Sequence, residues 1–313
     1  MTGLPTDLIG KMTSYIPPKD LRKFSQTSTS IRNAFKASKL LKRAYPIQIT
    51  IRNIEELRQL GNDTGFQGLV EQGQKFHLTF DTDFNQPLEP GVIPAGVTHL
   101  EFGADFNQQL RPGVIPKGVT HLDFGVDFNQ KLVLRVIPAG VTHLRLGWQF
   151  NQQLAPGVIP KGVTHLTFGP DFNQPLVVGV IPKGVTHLTL GWKFNQPLVV
   201  GVIPAGVTHL TFGNHFNQPL VAGAIPKGVT HLAFGWNFDQ QLAPGVFPES
   251  VTHLAFGADF NQQLALGVIP AGVMELRVGW SFNRQQAPGV IPERARLSTL
   301  LTNDPSFSFV RLV

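Results

Sequence analysis

Histidine carries the clearest potential for chemistry here, because nine of the ten copies in the sequence are spaced by 22 residues. They are His77, His99, His121, His143, His165, His187, His209, His231 and His253. A column of imidazoles could hold a metal between adjacent rings or respond to pH. Unit charges about 5 Å apart repel by roughly 1 kcal/mol even in water, so we expect neutral rings near pH 7. No carboxylate accompanies each ring, so stacking and hydrogen bonding are favoured over metal binding.

All four tryptophans occupy a second position of the same period and lie 44 residues apart, at Trp148, Trp192, Trp236 and Trp280. The other copies of that position are Thr82, Ala104, Val126, Pro170, Asn214 and Ala258. The core therefore does not require an aromatic ring there. A row of exposed indoles about 10 Å apart would anchor a protein partner or a sugar chain. The alternative is that the array grew by copying two-repeat units, with each indole lying over its neighbours.

Charged residues offer a third set of candidates. Acidic side chains concentrate early in the repeats, and the arginines at the equivalent position come later: Asp81, Asp83, Glu101, Asp105, Asp123, Asp127, then Arg145 and Arg277. The early set could face a basic partner segment or only solvent. Glu101 and Asp123 form a one-repeat stack of carboxylates, yet neither a pocket nor a nucleophile is indicated, so we expect no enzyme activity and no cofactor. Zero cysteines exclude disulfides, thiolate catalysis and cysteine-based metal sites.

Self-similarity is the strongest feature of the sequence, and it explains these spacings. Phe-Asn recurs ten times without insertion or deletion, with Asp239 as the single change of the Asn, starting at Phe84, Phe106, Phe128, Phe150, Phe172, Phe194, Phe216, Phe238, Phe260 and Phe282. The full unit reads V-T-H-L-x-F-G-x-x-F-N-Q-P/Q-L-x-x-G-V-I-P-x-G. Periods near this length indicate a solenoid in which each coil buries its apolar face against its neighbours.

The alternation of a strand predicts which side chains point inward. Leu100 and Phe102 share one face, while His99 and Glu101 share the other. The variable position between Leu and Phe is expected to be exposed; it reads Thr79, Glu101, Asp123, Arg145, Thr167, Thr189, Thr211, Ala233, Ala255 and Arg277. Each coil then contributes one short strand to a parallel sheet.

The rest of the coil consists of turns. Gly103 closes the strand, Gly113 turns the chain, and Pro116 enforces an extended approach to the next strand. No helix fits on the back side. Asn107 and its equivalents stand where an amide can bond to the backbone of the next coil, and Asp239, the one exception, could accept but not donate.

The repeat resembles the FNIP repeat, a relative of leucine-rich repeats, most plainly at Phe172-Asn173-Gln174-Pro175 and Phe194-Asn195-Gln196-Pro197. The resemblance covers residues 75–294. It implies a solenoid used for protein recognition, in proteins typical of social amoebae and of large DNA viruses that infect amoebae.

The first 45 residues change to a helical period, with three short apolar stripes. Their sequence is similar to an F-box over residues 2–43, carried by Leu4-Pro5-Thr6-Asp7-Leu8-Ile9, Tyr15-Ile16-Pro17-Pro18-Lys19-Asp20-Leu21, Phe24-Ser25-Gln26-Thr27-Ser28 and Ile31-Arg32-Asn33-Ala34-Phe35. This resemblance implies docking on the Skp-type adaptor of a cullin-RING ubiquitin ligase. The implied adaptor contacts are Leu4, Pro5, Leu8, Ile9, Ile16 and Leu21.

These patterns predict an α+β multidomain protein. A small three-helix F-box-like bundle occupies residues 1–45, and a connector and N-terminal cap occupy 46–74, with a strand at 47–51, a helix at 54–60 and a glycine-containing loop. Ten repeats without back-side helices form a parallel β-solenoid at 75–294. A C-terminal cap completes the chain at 295–313.

The charge of +6 is concentrated at the start of the chain, where residues 1–58 hold eleven Lys/Arg and four Asp/Glu, or +7, leaving −1 for the remainder. We therefore expect no nucleic-acid partner along the repeats. No 18-residue apolar run and no signal-peptide run occur, so we expect no membrane partner and a cytoplasmic protein, in the host cytoplasm if viral, without excluding the nucleus.

The sequence thus favours a noncatalytic substrate-recognition subunit of a cullin-RING ligase, which binds the adaptor and an unidentified target protein. One alternative is an interaction scaffold or decoy without ligase recruitment. A second is a glycan-binding β-solenoid that uses the tryptophans.

Overall fold

A computed structural model describes residues 46–283 and 285–299. The F-box-like helices expected in residues 1–45, with all six implied adaptor contacts, lie outside the described residues. The chain divides into two compact units, the first ending at His143 and the second beginning at Leu144. Among the described residues, no helix is long and apolar enough to span a membrane.

The first unit combines two helices with a parallel sheet. Its elements are β1 (Ile47–Ile51), α1 (Ile54–Asn62), α2 (Thr64–Glu71), β2 (Phe76–Phe80), β3 (Val97–Glu101) and β4 (His121–Asp123). Strands β1 to β4 pair in chain order, all parallel. From β2 to β4, one strand follows another every 22 residues, which is one strand per repeat.

The two helices begin at side chains that cap them. Asn53 accepts from the backbone N–H of Glu56 at 2.9 Å, and Asp63 accepts from that of Phe66 at 2.7 Å. The predicted helix at 54–60 is confirmed, but the expected loop is wrong over α2. Glycines weaken a helix, and α2 forms nevertheless because Asp63 caps it and Phe66 and Leu69 are buried.

The second unit is a stack of parallel β-coils. Strand β5 (His143–Arg145) crosses the boundary between the units, and the strands that follow are β6 (His165–Thr167), β7 (His187–Thr189), β8 (His209–Thr211), β9 (His231–Ala233), β10 (His253–Ala255), β11 (Glu275–Val278) and β12 (Arg296–Thr299). Strands β6 to β12 pair in chain order and in parallel. The described repeat residues contain no helix, which agrees with the predicted parallel β-solenoid.

Each coil buries an apolar frame that repeats from coil to coil. Leu166 and Phe168 of one coil are buried, as is Phe172 after the turn. The ring of Phe194 stacks between Phe172 and Phe216, with centroids 6.2 Å apart on both sides. That separation is within the range of favourable aromatic pairs, so identical residues in register form a continuous core.

The coils contain two classes of glycine with different structural roles. A Cβ on Gly169 would overlap the carbonyl oxygen of Gly147, so the first glycine permits close passage of neighbouring backbones. Gly201 represents the second class, which turns with a positive φ of 88°. In the first unit Arg135 stands at this second position and adopts φ 69°; among the described residues it is the one non-glycine with positive φ.

The outward face of the strands follows the predicted alternation with two exceptions. Leu100 and Phe102 are buried, whereas Glu101 is exposed. The expectation that every variable position is exposed is wrong at Ala233 and Ala255, which are buried. These two alanines are register partners of each other, with Thr211 and Arg277 on the strands to either side.

Candidate recognition surface

The histidines of the second unit form one stacked column on the outer face of the sheet. From His165 to His253, consecutive ring centroids lie 4.2 to 4.3 Å apart and the rings are nearly parallel. In the first unit His99, His121 and His143 stack in the same way, while His77 is tilted at 5.5 Å from His99. The predicted stacking is therefore present within each unit.

Each ring is oriented by the threonine that precedes it. In one coil, Thr208 Oγ1 lies 2.9 Å from Nδ1 of His209 and 3.1 Å from the carbonyl oxygen of Thr186. That carbonyl already accepts the backbone N–H groups of Thr208 and His209. The hydroxyl of Thr208 donates to the same carbonyl oxygen, and the direction of its contact with Nδ1 is set by the tautomer of the ring.

Burial and mutual repulsion lower the pKa of four rings of this column. Burial, followed by the charges of neighbouring histidines, lowers the pKa of His187 and of His231 to about 4, and burial lowers the pKa of His165 and His209. His99 of the first unit likewise has a pKa of about 4. Among the described residues, no three His, Asp or Glu side chains form a group that could hold a metal.

The four tryptophans all lie in the second unit and all are exposed: Trp148 by 51%, Trp192 by 49%, Trp236 by 47% and Trp280 by 69%. Each follows the close-packed glycine at the end of a strand, where the chain turns. A backbone ladder fixes this turn. The N–H of the residue that follows the Trp position donates to the carbonyl oxygen of the residue at the Trp position in the preceding coil. Six of these bonds lie within the second unit, and they measure 2.8 to 3.2 Å.

Smaller residues alternate with the tryptophans, and the indole N–H groups make no hydrogen bond to a described residue. Between consecutive tryptophan coils, the same position holds Pro170, Asn214 and Ala258, all partly exposed. Among the residues that the structure describes, none accepts a hydrogen bond from any of the four indole N–H groups. The row therefore presents flat apolar rings and unpaired donors, a combination that suits molecular recognition.

A second apolar surface, which we call the valine ridge, was missed by the sequence reasoning. It consists of Val177, Val178, Val199, Val200 and Val221, which are 50 to 60% exposed. Pro175, Pro197 and Pro219 lie exposed two residues before the first valine of each coil. The signal was present as valine pairs before the turning glycine, at a place where other coils carry proline, such as Pro156 and Pro244.

The charged candidates are distributed over both units. In the first, Glu101 and Asp123 are register partners on neighbouring strands, as expected for a one-coil stack, and the Glu101 carboxylate lies 3.5 Å from Nε2 of His77. In the second, Arg145 is exposed and Arg277 donates to Glu275 at 2.6 Å. Arg277 is therefore engaged by its own strand. The structure brings the tryptophans together as one surface, but not these charges.

Comparison with known proteins agrees with this architecture. A family model described as FNIP Repeat matches residues 84–127, 128–171, 172–215, 216–259 and 260–295. Four of these matches span two coils, the same interval as the tryptophans. None of the curated proteins matches the chain.

A solved structure from a giant virus, described as "CroV588 a novel circular LRR protein structure", is similar to this chain. The two share 39% sequence identity and a TM-score of 0.73, over 80% of this chain and 36% of that chain. The chain thus spans about a third of the length of this structural relative. The likeness supports a leucine-rich-repeat type of coil.

Proposed function

Because the chain belongs to the FNIP repeat family, we propose that it is a noncatalytic recognition protein whose coils bind a target protein. The tryptophan row carries this proposal. Four half-exposed indoles are held at regular intervals by a backbone ladder, and tryptophan is enriched among the residues that dominate binding energy at protein interfaces. A single exposed tryptophan would be unremarkable, whereas four in register form a surface.

The second part of the proposal concerns the first 45 residues. Their resemblance to an F-box supports docking on the Skp-type adaptor of a cullin-RING ubiquitin ligase. The protein would then hold the target close to the ligase and raise its effective concentration there. In this function the chain supplies no reacting group and no cofactor, and it acts in the cytoplasm, of the host if the protein is viral, or in the nucleus.

Adaptor docking is tested with purified Skp-type adaptor and the full-length protein, by pull-down and by titration. The double variant Leu8→Arg, Ile16→Arg places two charges in the implied contact surface and should abolish capture. The matched control is Trp192→Ala, which changes the second unit and should leave adaptor capture intact. Equal capture by the double variant and the wild type would overturn the F-box assignment.

A scaffold or decoy without ligase recruitment is separated from this proposal by deleting residues 1–45. If those residues only cover the first coils, their removal should lower the unfolding midpoint or cause aggregation. If they bind an adaptor, the deleted protein should keep its unfolding midpoint and lose only adaptor capture.

A further inference from the structure

We propose that the second unit binds a second copy of itself through an apolar strip of turns that has the valine ridge at its centre. This inference goes beyond the proposed function, because it concerns self-association and involves neither the tryptophan row nor the first 45 residues. The apolar strip consists of the two residues before the turning glycine in seven consecutive coils: Ala155-Pro156, Val177-Val178, Val199-Val200, Val221-Ala222, Ala243-Pro244, Ala265-Leu266 and Ala287-Pro288.

The composition of the apolar strip is the first argument. All of its residues are exposed, and none of them is polar or charged. The fold does not require this, because the equivalent turns of the first unit carry Glu89 and Arg111, whose side chains are 68% and 70% exposed. A coil can therefore hold a charge at this turn. Continuous apolar exposure that the fold does not require is typical of a surface that binds a partner.

The turns of the apolar strip form one continuous and rigid surface. A Cβ on Gly201 would lie 3.7 Å from Cγ2 of Val178, and a Cβ on Gly223 would lie 3.6 Å from Cγ2 of Val200. Each of the seven turns is closed by a backbone hydrogen bond across its glycine, and these bonds measure 3.1 to 3.3 Å. Valine also has few side-chain rotamers. The strip is thus preorganised and loses little conformational entropy when it is buried.

A second copy is the partner whose spacing matches the apolar strip by necessity. The strip presents one turn per coil, so a partner that packs against several turns must repeat at the distance between coils. A second copy of this chain has that distance, whatever its value, whereas a strand or a helix of another protein repeats at a distance of its own. Identical side chains at an identical spacing can interdigitate along the whole strip, as they do between paired sheets of identical segments.

The order of side chains along the apolar strip fits a twofold dimer. Most soluble oligomers are closed, and a twofold dimer uses the same patch on both copies. The turn with Val199 and Val200 is flanked on each side by a turn with valine, and beyond these lie the two Ala-Pro turns at 155–156 and 243–244. Antiparallel packing about an axis at Val200 therefore brings turns of similar size together.

The size and charge of the apolar strip are adequate for a dimer. Seven turns of three exposed residues, with the exposed Pro175, Pro197 and Pro219, supply a number of residues within the about 20–30 that each partner contributes to a standard interface. Like charges that meet across a twofold axis destabilise a complex, and the strip has no charge there. A lipid surface is less favoured, because the strip has no aromatic ring of the kind that anchors proteins at membrane interfaces.

The test measures the association of the purified full chain by sedimentation equilibrium over a range of protein concentrations. We expect a reversible dimer. Val200→Lys places two ammonium groups near each other across the axis, and Val200→Glu places two carboxylates there. Each variant alone should have a dimer Kd at least tenfold higher than that of the wild type, because like charges repel. An equimolar mixture should recover association, because the mixed dimer pairs lysine with glutamate.

The matched control is Pro90→Lys, which introduces the same charge at the equivalent turn position of the first unit and should leave the dimer Kd unchanged. The charged variants should fold, because Glu89 and Arg111 already occupy turns of this type, and circular dichroism checks it. If either variant fails to fold, Val178→Ser with Val200→Ser replaces both, again with an expected increase of at least tenfold in the dimer Kd.

A wild type that stays monomeric at every concentration would overturn the proposal, as would an unchanged dimer Kd in Val200→Lys. Loss of association that mixing does not restore would also overturn it, since the copies would then not meet about an axis at Val200. Binding of a monomeric wild type to phosphatidylcholine vesicles would overturn it in favour of a lipid surface. Adaptor capture and target binding involve other residues, so failure here is distinguishable from failure of the proposed function.

Discussion

Asp239 accepts two hydrogen bonds from the next coil, one from the backbone N–H of Asn261 at 2.9 Å and one from the side-chain amide of Gln262 at 3.0 Å. Asn173 makes the same pair of contacts with Asn195 and Gln196. In both coils the side chain at this position accepts, a role that an aspartate can fulfil as well as an asparagine.

Replacing a ladder asparagine by an acceptor-free residue should destabilise the second unit. Asn195 Oδ1 accepts from the backbone N–H of Asn217 at 2.9 Å and from Gln218 at 3.0 Å. In Asn195→Ala both donors lose their acceptor, which we expect to cost about 1–3 kcal/mol. Urea unfolding measures this loss of stability. The matched control, Asn195→Asp, should lose much less, and an equal loss would show that the side-chain donor matters after all.

The two glycine classes should respond differently to alanine. In Gly213→Ala the new Cβ would overlap the carbonyl oxygen of Gly191, so the coils must separate and we expect a loss of about 4 kcal/mol or more. Gly245→Ala meets no atom within 4 Å and suffers only the strain of φ 83°, which is about 1–2 kcal/mol. Comparison of the two unfolding midpoints checks this order, and a reversed order would contradict the close packing of neighbouring backbones.

Arg135→Gly should stabilise the first unit. Arg135 has φ 69°, where the other coils have glycine. Relief of the left-handed strain gains about 1–2 kcal/mol, and the added freedom of glycine in the unfolded chain reduces the net gain to about 1 kcal/mol. Thermal unfolding measures the gain. Arg135→Ala retains the strain of the positive φ and should therefore show no gain in stability.

Acidification should destabilise the second unit through its histidine column. The pKa values of His187 and His231 are lowered to about 4 from an ordinary 6.5, so the unfolded chain takes up protons first. The stability that these neutral histidines contribute is therefore fully present above pH 6.5 and declines as the pH falls toward 4. We expect His187→Gln with His209→Gln to show a smaller decline than the wild type across this window. An equal decline of stability with falling pH in the variant and the wild type would contradict a contribution of the histidine column.

Much of the coil could be predicted because the repeat is strict, so that a prediction for one repeat holds for all ten. The alternation that buries Leu100 and Phe102 and exposes Glu101 follows from strand geometry alone. Burial of Ala233 could not be predicted, because it depends on the lengths of side chains on adjacent strands. Helix α2 was missed because glycines within it suggested a loop, whereas the cap at Asp63 and the burial of Phe66 determine the outcome.

The recognition surface was only partly predictable. The 44-residue spacing of the tryptophans was visible in the sequence, and their common exposure follows from the variability of that position. The valine ridge was not identified, because a pair such as Val199-Val200 is equally typical of a buried strand. Val199 begins a turn that has Val200 and Gly201 at its centre and is closed by the bond from the Val202 N–H to the Val199 carbonyl oxygen, and both valine side chains are exposed.

Coil-on-coil register is the property on which the recognition surface depends, and removal of one whole coil tests it most directly. Deleting residues 185–206 joins Gly184 to Val207, which reproduces the junction between Gly206 and Val207. We predict that urea unfolding stays cooperative with a slightly lower midpoint, since each coil contacts only its neighbours. Deleting residues 185–195, half a coil, should abolish the cooperative transition. If both deletions unfolded alike, the 22-residue coil would not be the structural unit.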